Sequence, residues 1–245
     1  MISLDGRTLD SFGLILQPGH SHPILPQTKD VTIEIPGRHG AYDVGASLSP
    51  RIINLPLAWA RETTRENLQQ RIRELAAFLV DATGKPRTFK LTFDYESTIN
   101  YNVRYSGSLD IDRFYKVGTF MLPLVAFDPF AYGSEIQQSF TTALNIDGTA
   151  TALPIFEVNF TAASQDFKIL QIETGKMVRV IHDFVAGDIL VIDNEKRLIT
   201  INGLKAMPSL DLDSEFFELM PGTNTFNTIP ADVATLTVNY KPRWL

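Results

Sequence analysis

Asp188, Asp193 and Glu195 fall close together in "GDILVIDNEKRLITING" (187–203), a grouping that could hold a divalent cation or do acid–base work. A calcium loop of the EF-hand kind needs oxygen ligands at alternate positions, a Gly at the bend and a closing Glu, and Lys196 and Arg197 stand where further ligands should begin. The flanking Ile189, Val191, Leu198, Ile199 and Ile201 instead bracket the polar Asp193-Asn194-Glu195-Lys196 as strands bracket a turn, so the stretch reads as a structural hairpin. His20 and His22 in "PGHSHP" have a spacing that puts two imidazoles on one side of an extended chain, as some zinc sites require. Gly19 and Pro23 bound them, no partner carboxylate is evident, and an exposed loop is expected. His39 sits in a Gly-flanked turn, and His182, ending "MVRVIHDF", is expected to be a half-buried structural residue.

A glycosidase needs only two carboxylates at a set separation, and Asp211, Asp213, Glu215 and Glu218 in "LDLDSEFFELMPG" form the best such group. Their alternation with Leu210, Leu212, Phe216, Phe217 and Leu219 is what a strand and its turn show when one face is in the core. The usual signatures of acyl transfer and nucleotide binding, G-x-S-x-G, the P-loop and G-x-G-x-x-G, are missing, and there is no cysteine to act as nucleophile. Trp59 and Trp244 lack the His, Asn and Arg company of a galectin-type sugar site. The sequence therefore assigns no catalytic, cofactor-binding or metal-ligating residue, and no cofactor.

The elements around these residues are mostly short β patterns, among them "VTIEIPG", "RIINLPLAWA", "RTFKLTF" and "TALPIFEVNF". "TTRENLQQRIRELAAFLVDATGKP" breaks the pattern: Leu68, Ile72, Leu75 and Leu79 recur at helical spacing, Thr63 with Glu66 can form a capping box, and Gly84 with Pro86 closes the segment. Arg61, Arg65, Arg71 and Arg73, mixed with Glu62, Glu66 and Glu74, read as the solvated back of that helix. "AFDPFAYGSEIQQ" is the candidate boundary, dividing the chain into 1–133 and 134–245. Leu-Pro pairs at 55–56, 122–123 and 153–154 interrupt strands and point to edges, strand starts or bulges. The fold class expected is mainly β.

A chain of 245 residues with 44% hydrophobic and 20% charged residues is globular, and its lack of cysteine excludes a disulfide framework. No secretory signal or bilayer-length apolar run is seen, which leads to the expectation of a soluble protein. Residues 1–133 carry 14 basic and 14 acidic side chains and residues 134–245 carry 8 and 14, so the net charge of −6 sits wholly in the second half. Such a surface repels phosphate backbones, and stable nucleic-acid binding is not expected.

"IPGRHGAYDVG", the central helix, "LVAFDPFAYG", and the closing "GDILVIDNEKRLITING", "LDSEFFELMPGTNTF" and "VNYKPRWL" together resemble the distal tail proteins of siphophages across nearly the whole chain. The resemblance implies two β-sandwich domains. An N-terminal belt domain with the single helix forms a hexameric ring, single or paired back to back, and a galectin-like C-terminal domain projects outward. It further implies a non-enzymatic protein at the virion tail tip, assembled in the host cytoplasm. The ring would join the tail tube protein to hub, lysin or receptor-binding components and let DNA pass, without membrane insertion. Pro36, Gly37, Arg38 and Gly40 match the belt-domain turn, Asp128, Pro129 and Phe130 the junction, and Pro221 with Gly222 the late turn. The chain is too short for the carbohydrate-binding modules that some relatives carry in loops. A stand-alone protein recognising host cell-wall glycans, and more remotely a glycoside hydrolase, are the alternatives.

Overall fold

A computed structural model describes residues 2–60, 62 and 64–245, which divide into two compact units, one of residues up to 131 together with Leu245 and one of residues 132–244. In the first unit the longer described elements are β1 (Thr28–Glu34), β2 (Ala41–Leu48), β3 (Arg51–Trp59), α1 (Arg65–Leu79), β4 (Thr88–Thr92), β5 (Asn100–Tyr105), β6 (Ile111–Phe114) and β7 (Val117–Ala126). β1 and β2 pair only with each other. The remaining strands follow one antiparallel path through β4, β5, β7 and β3, with β6 added beside β7. Hydrogen bonding joins these strands along one antiparallel path, and the helix covers part of its buried face.

Strand alternation builds that core: Ile53 and Leu55 of β3 and Leu122 of β7 are buried between partly or largely exposed neighbours, and Leu57 and Leu124 lead into strand ends where Ala58 and Val125 are buried as well. The helix lays Leu68, Leu75, Phe78 and Leu79 over it, with Phe78 against Phe12 and Phe89 at 5.1 and 5.2 Å. Leu68 closes over Gly118 and Trp59, where even a Cβ on Gly118 would be 3.4 Å from both. Trp59 is fully buried, its indole N–H donating to Phe12 O at 2.9 Å. The helix cap is Thr64, whose hydroxyl accepts from Asn67 N at 3.1 Å. The box expected at Thr63 lies outside the described residues. The helix stops at Leu79, well before Gly84, because Asp81 Oδ1 gathers Thr83 N at 2.8 Å and Lys85 N at 2.9 Å into a turn that competes with another helical one.

The second unit is a sandwich. Its longer strands are β8 (Ile136–Phe140), β9 (Ala143–Ile146), β10 (Ile155–Phe160), β11 (Ser164–Gln171), β12 (Met177–Phe184), β13 (Ile189–Asp193), β14 (Leu198–Ile201), β15 (Gly222–Ile229) and β16 (Ala234–Tyr240). One sheet runs β8-β16-β10-β13-β14 and ends on Leu204–Lys205, and the other runs β9-β15-β11-β12. Phenylalanines join the two: Phe156 of β10 meets Phe226 of β15 at 5.7 Å, and Phe160 stacks on Phe184 of β12 at 4.0 Å.

The prolines fall where a missing N–H costs least. Pro123 lies where the partner of β7 changes from β6 to β5, and Pro154 immediately precedes β10. Pro56 lies within β3, and its carbonyl accepts from Gln17 N at 2.8 Å.

Candidate functional site

The acidic hairpin is built from its own carboxylates. Asp188 accepts from Asn202 Nδ2 and Val185 N, both at 2.9 Å, and these bonds, the Asn202 one foremost, hold its carboxyl below the usual range. Burial pushes Asp193 up, but Lys196 reverses this, donating through its backbone N–H and its ammonium, each at 2.9 Å, so that the carboxyl ends below its ordinary value. Between them Asn194 is buried and joins three segments: it donates to Pro154 O at 3.0 Å and accepts from Phe217 N at 3.0 Å. The carboxylates of Asp188 and Asp193 are engaged in closing the hairpin. Among the described residues no three His, Cys, Asp or Glu side chains gather at a metal-binding geometry.

The stretch 210–221 departs from the strand expected of it. It crosses the edge of β12 as an irregular strap, with Asp211 N donating to Arg179 O at 2.9 Å and Glu215 N to Met177 O at 2.8 Å. Arg179 ties it down, reaching Asp166 at 2.6 Å and Asp211 at 3.3 Å. Leu212, expected on a core face, is wholly exposed, because the strap's hydrogen bonds hold its flanks and leave its crest in solvent. A second polar cluster lies within the sandwich: Gln171 donates to Glu218 O at 3.0 Å and to Asn224 Oδ1 at 2.9 Å, and Asn224 donates to Met220 O and Gly222 O. Its donors and acceptors are spent on holding the Pro221–Gly222 turn.

The two histidines of "PGHSHP" part company. His20 is exposed, but His22 is half-buried, stacked on Phe93 at 4.7 Å and edge-on to Tyr101, with Nδ1 3.2 Å from Tyr95 Oη. Burial, then the charge of Arg51, then His20 lower its pKa to about 4, so His22 is neutral at pH 7. The loop expected to be exposed is thus pinned at His22 by an aromatic box that sequence spacing does not disclose. Arg51, itself buried, completes the anchorage: Nη1 donates to Pro23 O at 2.6 Å and Ile24 O at 3.1 Å, and Nε to Pro129 O at 3.0 Å. His182 is exposed rather than half-buried, its ring edge-on to Phe184 at 5.0 Å.

What this strap leads into has no partner. β1 and β2 form an arm whose every residue is exposed, and "PGRHG", with Pro36, Gly37, Arg38 and Gly40, is its tip. Gly37 and Gly40 take φ near +84° and +83°, which other residues adopt poorly. Arg38 lies over the Tyr42 ring at 4.0 Å. The helix arginines are dispersed: Arg71 meets Glu74 at 3.1 Å and Glu62 at 3.7 Å, and Arg65 lies 5.3 Å from the Tyr115 ring centre. Arg61 lies outside the described residues. A groove of about 350 Å³ beneath the helix is lined by Trp59, Ile72, Leu75, Tyr105 and Ile111 and has an apolar floor. Neither Arg51 nor the arm was singled out as functional from sequence. The alternation of Val31, Ile33 and Ile35 reads as a strand, and the tip as the turn that resembles the belt domain, with nothing to tell that the strands stand free of the sheet.

Comparison with known proteins follows the same division. Residues 7–126 match the model of a phage tail protein RIFT-related domain, and residues 147–244 that of a siphovirus-type tail component, C-terminal domain. The distal tail protein of Bacillus phage SPP1 is 29% identical over 201 residues, which span 78% of this chain and 77% of that one. The crystal structure of the SPP1 Dit protein, described as a paradigm of the hub adsorption apparatus in phages infecting Gram-positive bacteria, superposes with a TM-score of 0.83 at 18% identity. That match covers 100% of this chain and 98% of the other.

Proposed function

The chain belongs to the distal tail protein family of siphophages, and from that premise we infer that it is a structural hub of the virion tail tip that acts by assembling rather than by catalysis. The observation that carries the reading is the order of the two tail-protein matches, one on each compact unit. In this reading residues 1–133 are the belt that self-associates, as a hexameric ring, and residues 134–245 are a galectin-like sandwich that faces other tail-tip components. The ring seats on the tail tube and leaves a channel for DNA. The carboxylates of the second unit support a non-enzymatic role, since Asp188, Asp193, Asp166 and Asp211 are all engaged in holding strands, turns or straps.

Light scattering of the purified full chain over a range of concentrations tests this. The expected mass is six times the 27.4 kDa of the chain. A mass of one chain at every concentration would overturn the ring.

A further inference from the structure

We propose that His22 is an acid-sensitive latch: while its ring is neutral it holds the loop 17–25 on the sheet and fixes the direction of the β1–β2 arm, and protonation releases loop and arm while the sheet stays folded. The inference stands apart from the ring reading, since it concerns a hinge within one chain. β1 and β2 pair only with each other, so the arm's direction is set where its root is held. The loop before that root is held by backbone bonds and by two side chains. Gln17 N donates to Pro56 O at 2.8 Å, and Ser21 and Asn54 exchange backbone bonds, both at 3.0 Å. Arg51 Nη1 grips Pro23 O and Ile24 O, and His22 packs its ring on Phe93 and Tyr101 and meets Tyr95 Oη. Of these attachments only the imidazole changes charge between about pH 7 and 4.

The box accepts a neutral ring and has no place for a cation. Tyr95 Oη serves Nδ1 in either tautomer, whereas Nε2 is buried and meets no hydrogen-bond partner among the described residues. A bare lone pair is tolerated in an aromatic stack, but an N–H donor carrying positive charge there is an unpaired buried ion. Arg51 adds to the cost. It is 1% exposed, its guanidinium lies 5.2 Å from the Tyr101 ring centre, and its own Nη2 is buried without a partner, so the box already holds one cation with a donor unspent. The charges acting on the ring are Arg51 from β3 and His20 from the loop itself, and both oppose a second positive charge. Burial pushes up the phenols of Tyr95 and Tyr101, which stay neutral, and Glu96 acts on these two rather than on His22. Burial first, then Arg51 and His20, lower the pKa of the latched ring from 6.5 to about 4. The latched state therefore binds the proton less well than the released one, so the latch is complete above about pH 6.5 and loosens as pH falls towards 4. The helix-covered core around Phe12, Phe78 and Phe89 shares none of the rings of this box, which leaves the sheet its own support.

Amide hydrogen exchange of the full-length protein at about pH 7.5 and 4.5, each corrected for the intrinsic exchange rate at that pH, tests the latch. It compares the amides of Gln17 and Ser21 in the loop with those of Leu122 and Leu124 in β7. His22→Phe keeps an aromatic ring in the box and removes the titration, and His22→Gln, neutral at both pH values, serves as a second variant should the larger ring fail to fold. The expected result is a fall of about tenfold or more in loop protection on acidification of the wild type, with β7 protected at both pH values. In either variant the loop should be protected equally at the two pH values, whatever its absolute level. Loop protection in the wild type that does not change, that falls as much in the variants, or that falls only together with the amides of β7 overturns the latch.

Discussion

Strand β10 in the sandwich and strand β1 in the arm use the same alternating pattern and end in opposite environments. Phe156, Val158 and Phe160 of β10 are at most 3% exposed, under a second sheet of the same unit, whereas Val31 and Ile33 of β1 are more than half exposed. The hydrophobic period says which face requires cover, and it does not say which chain provides it. One region completes its own core, and the other leaves its apolar face exposed within its own chain.

The largest expected effect separates the two regions by truncation. Phe156→Ala removes a ring that meets Phe140, Phe217 and Phe226 at 5.7–5.9 Å and should cost about 3–5 kcal/mol, read as a large fall in melting temperature. Ile33→Ala should leave the dissociated chain within about 0.5 kcal/mol of wild type, the range of surface changes, while loosening the assembly. A loss from Ile33→Ala comparable to that from Phe156→Ala, measured in the monomer, would place the arm in a core of its own chain and end the contrast.

Two glycines sharpen it at intermediate size. Gly148 has φ +114°, and a Cβ there would stand 2.4 Å from the Arg243 carbonyl oxygen, so Gly148→Ala meets both strain and backbone. It should cost about 2–4 kcal/mol. Gly45 in the arm has φ +134° but open space around it, so Gly45→Ala bears the strain alone and should cost about 1–2 kcal/mol at most. Equal melting temperatures for the two variants would contradict the account.

Acid should act on the two units in different windows. His22 has its pKa lowered from 6.5 to about 4, so the unfolded chain takes up its proton first. Stability from neutral His22 is complete above about pH 6.5 and is lost as pH falls towards 4. The groups facing it are Arg51, His20, Tyr95 and Tyr101, none of them a carboxylate that could rescue the imidazolium. Asp188 and Asp193, held below 3.8, contribute stability that persists above that value and is lost only as pH falls through their lowered pKa values. Melts of the full chain between pH 7 and 4.5 should therefore weaken the first unit before the second. His22→Gln should flatten that slope, and an unchanged slope would remove His22 as its cause.

Much of this was legible beforehand, and the gaps have physical reasons. The helix, the β13–β14 hairpin and the mainly β class follow from period and turn chemistry, which are local. The strap at 210–221 was misread because Leu-Asp alternation describes a strand equally well whether it pairs or merely crosses an edge. His22 was misread because its box of Phe93, Tyr95 and Tyr101 lies some seventy residues away along the chain. Arg51 is conspicuous only in three dimensions, as a buried cation spending its donors on carbonyl oxygens. The arm was visible as a strand, but period alone does not tell that its apolar face stays uncovered in its own chain.

The smallest expected effect concerns DNA. With Arg71 tied to Glu62 and Glu74 and the helix charges mixed, anisotropy of a labelled duplex should stay flat at physiological salt. Tight, salt-sensitive binding would mean that the helix face lines the channel as a positive ring.

Negative-stain imaging of the purified full chain tests the central claim most directly, since assembly through the first unit is what separates a hub from a free-standing binding protein. The account predicts closed, six-fold rings, and their loss in Ile33→Glu. A field of unassembled particles, or rings that persist unchanged in that variant with contacts running through the second unit, would contradict it.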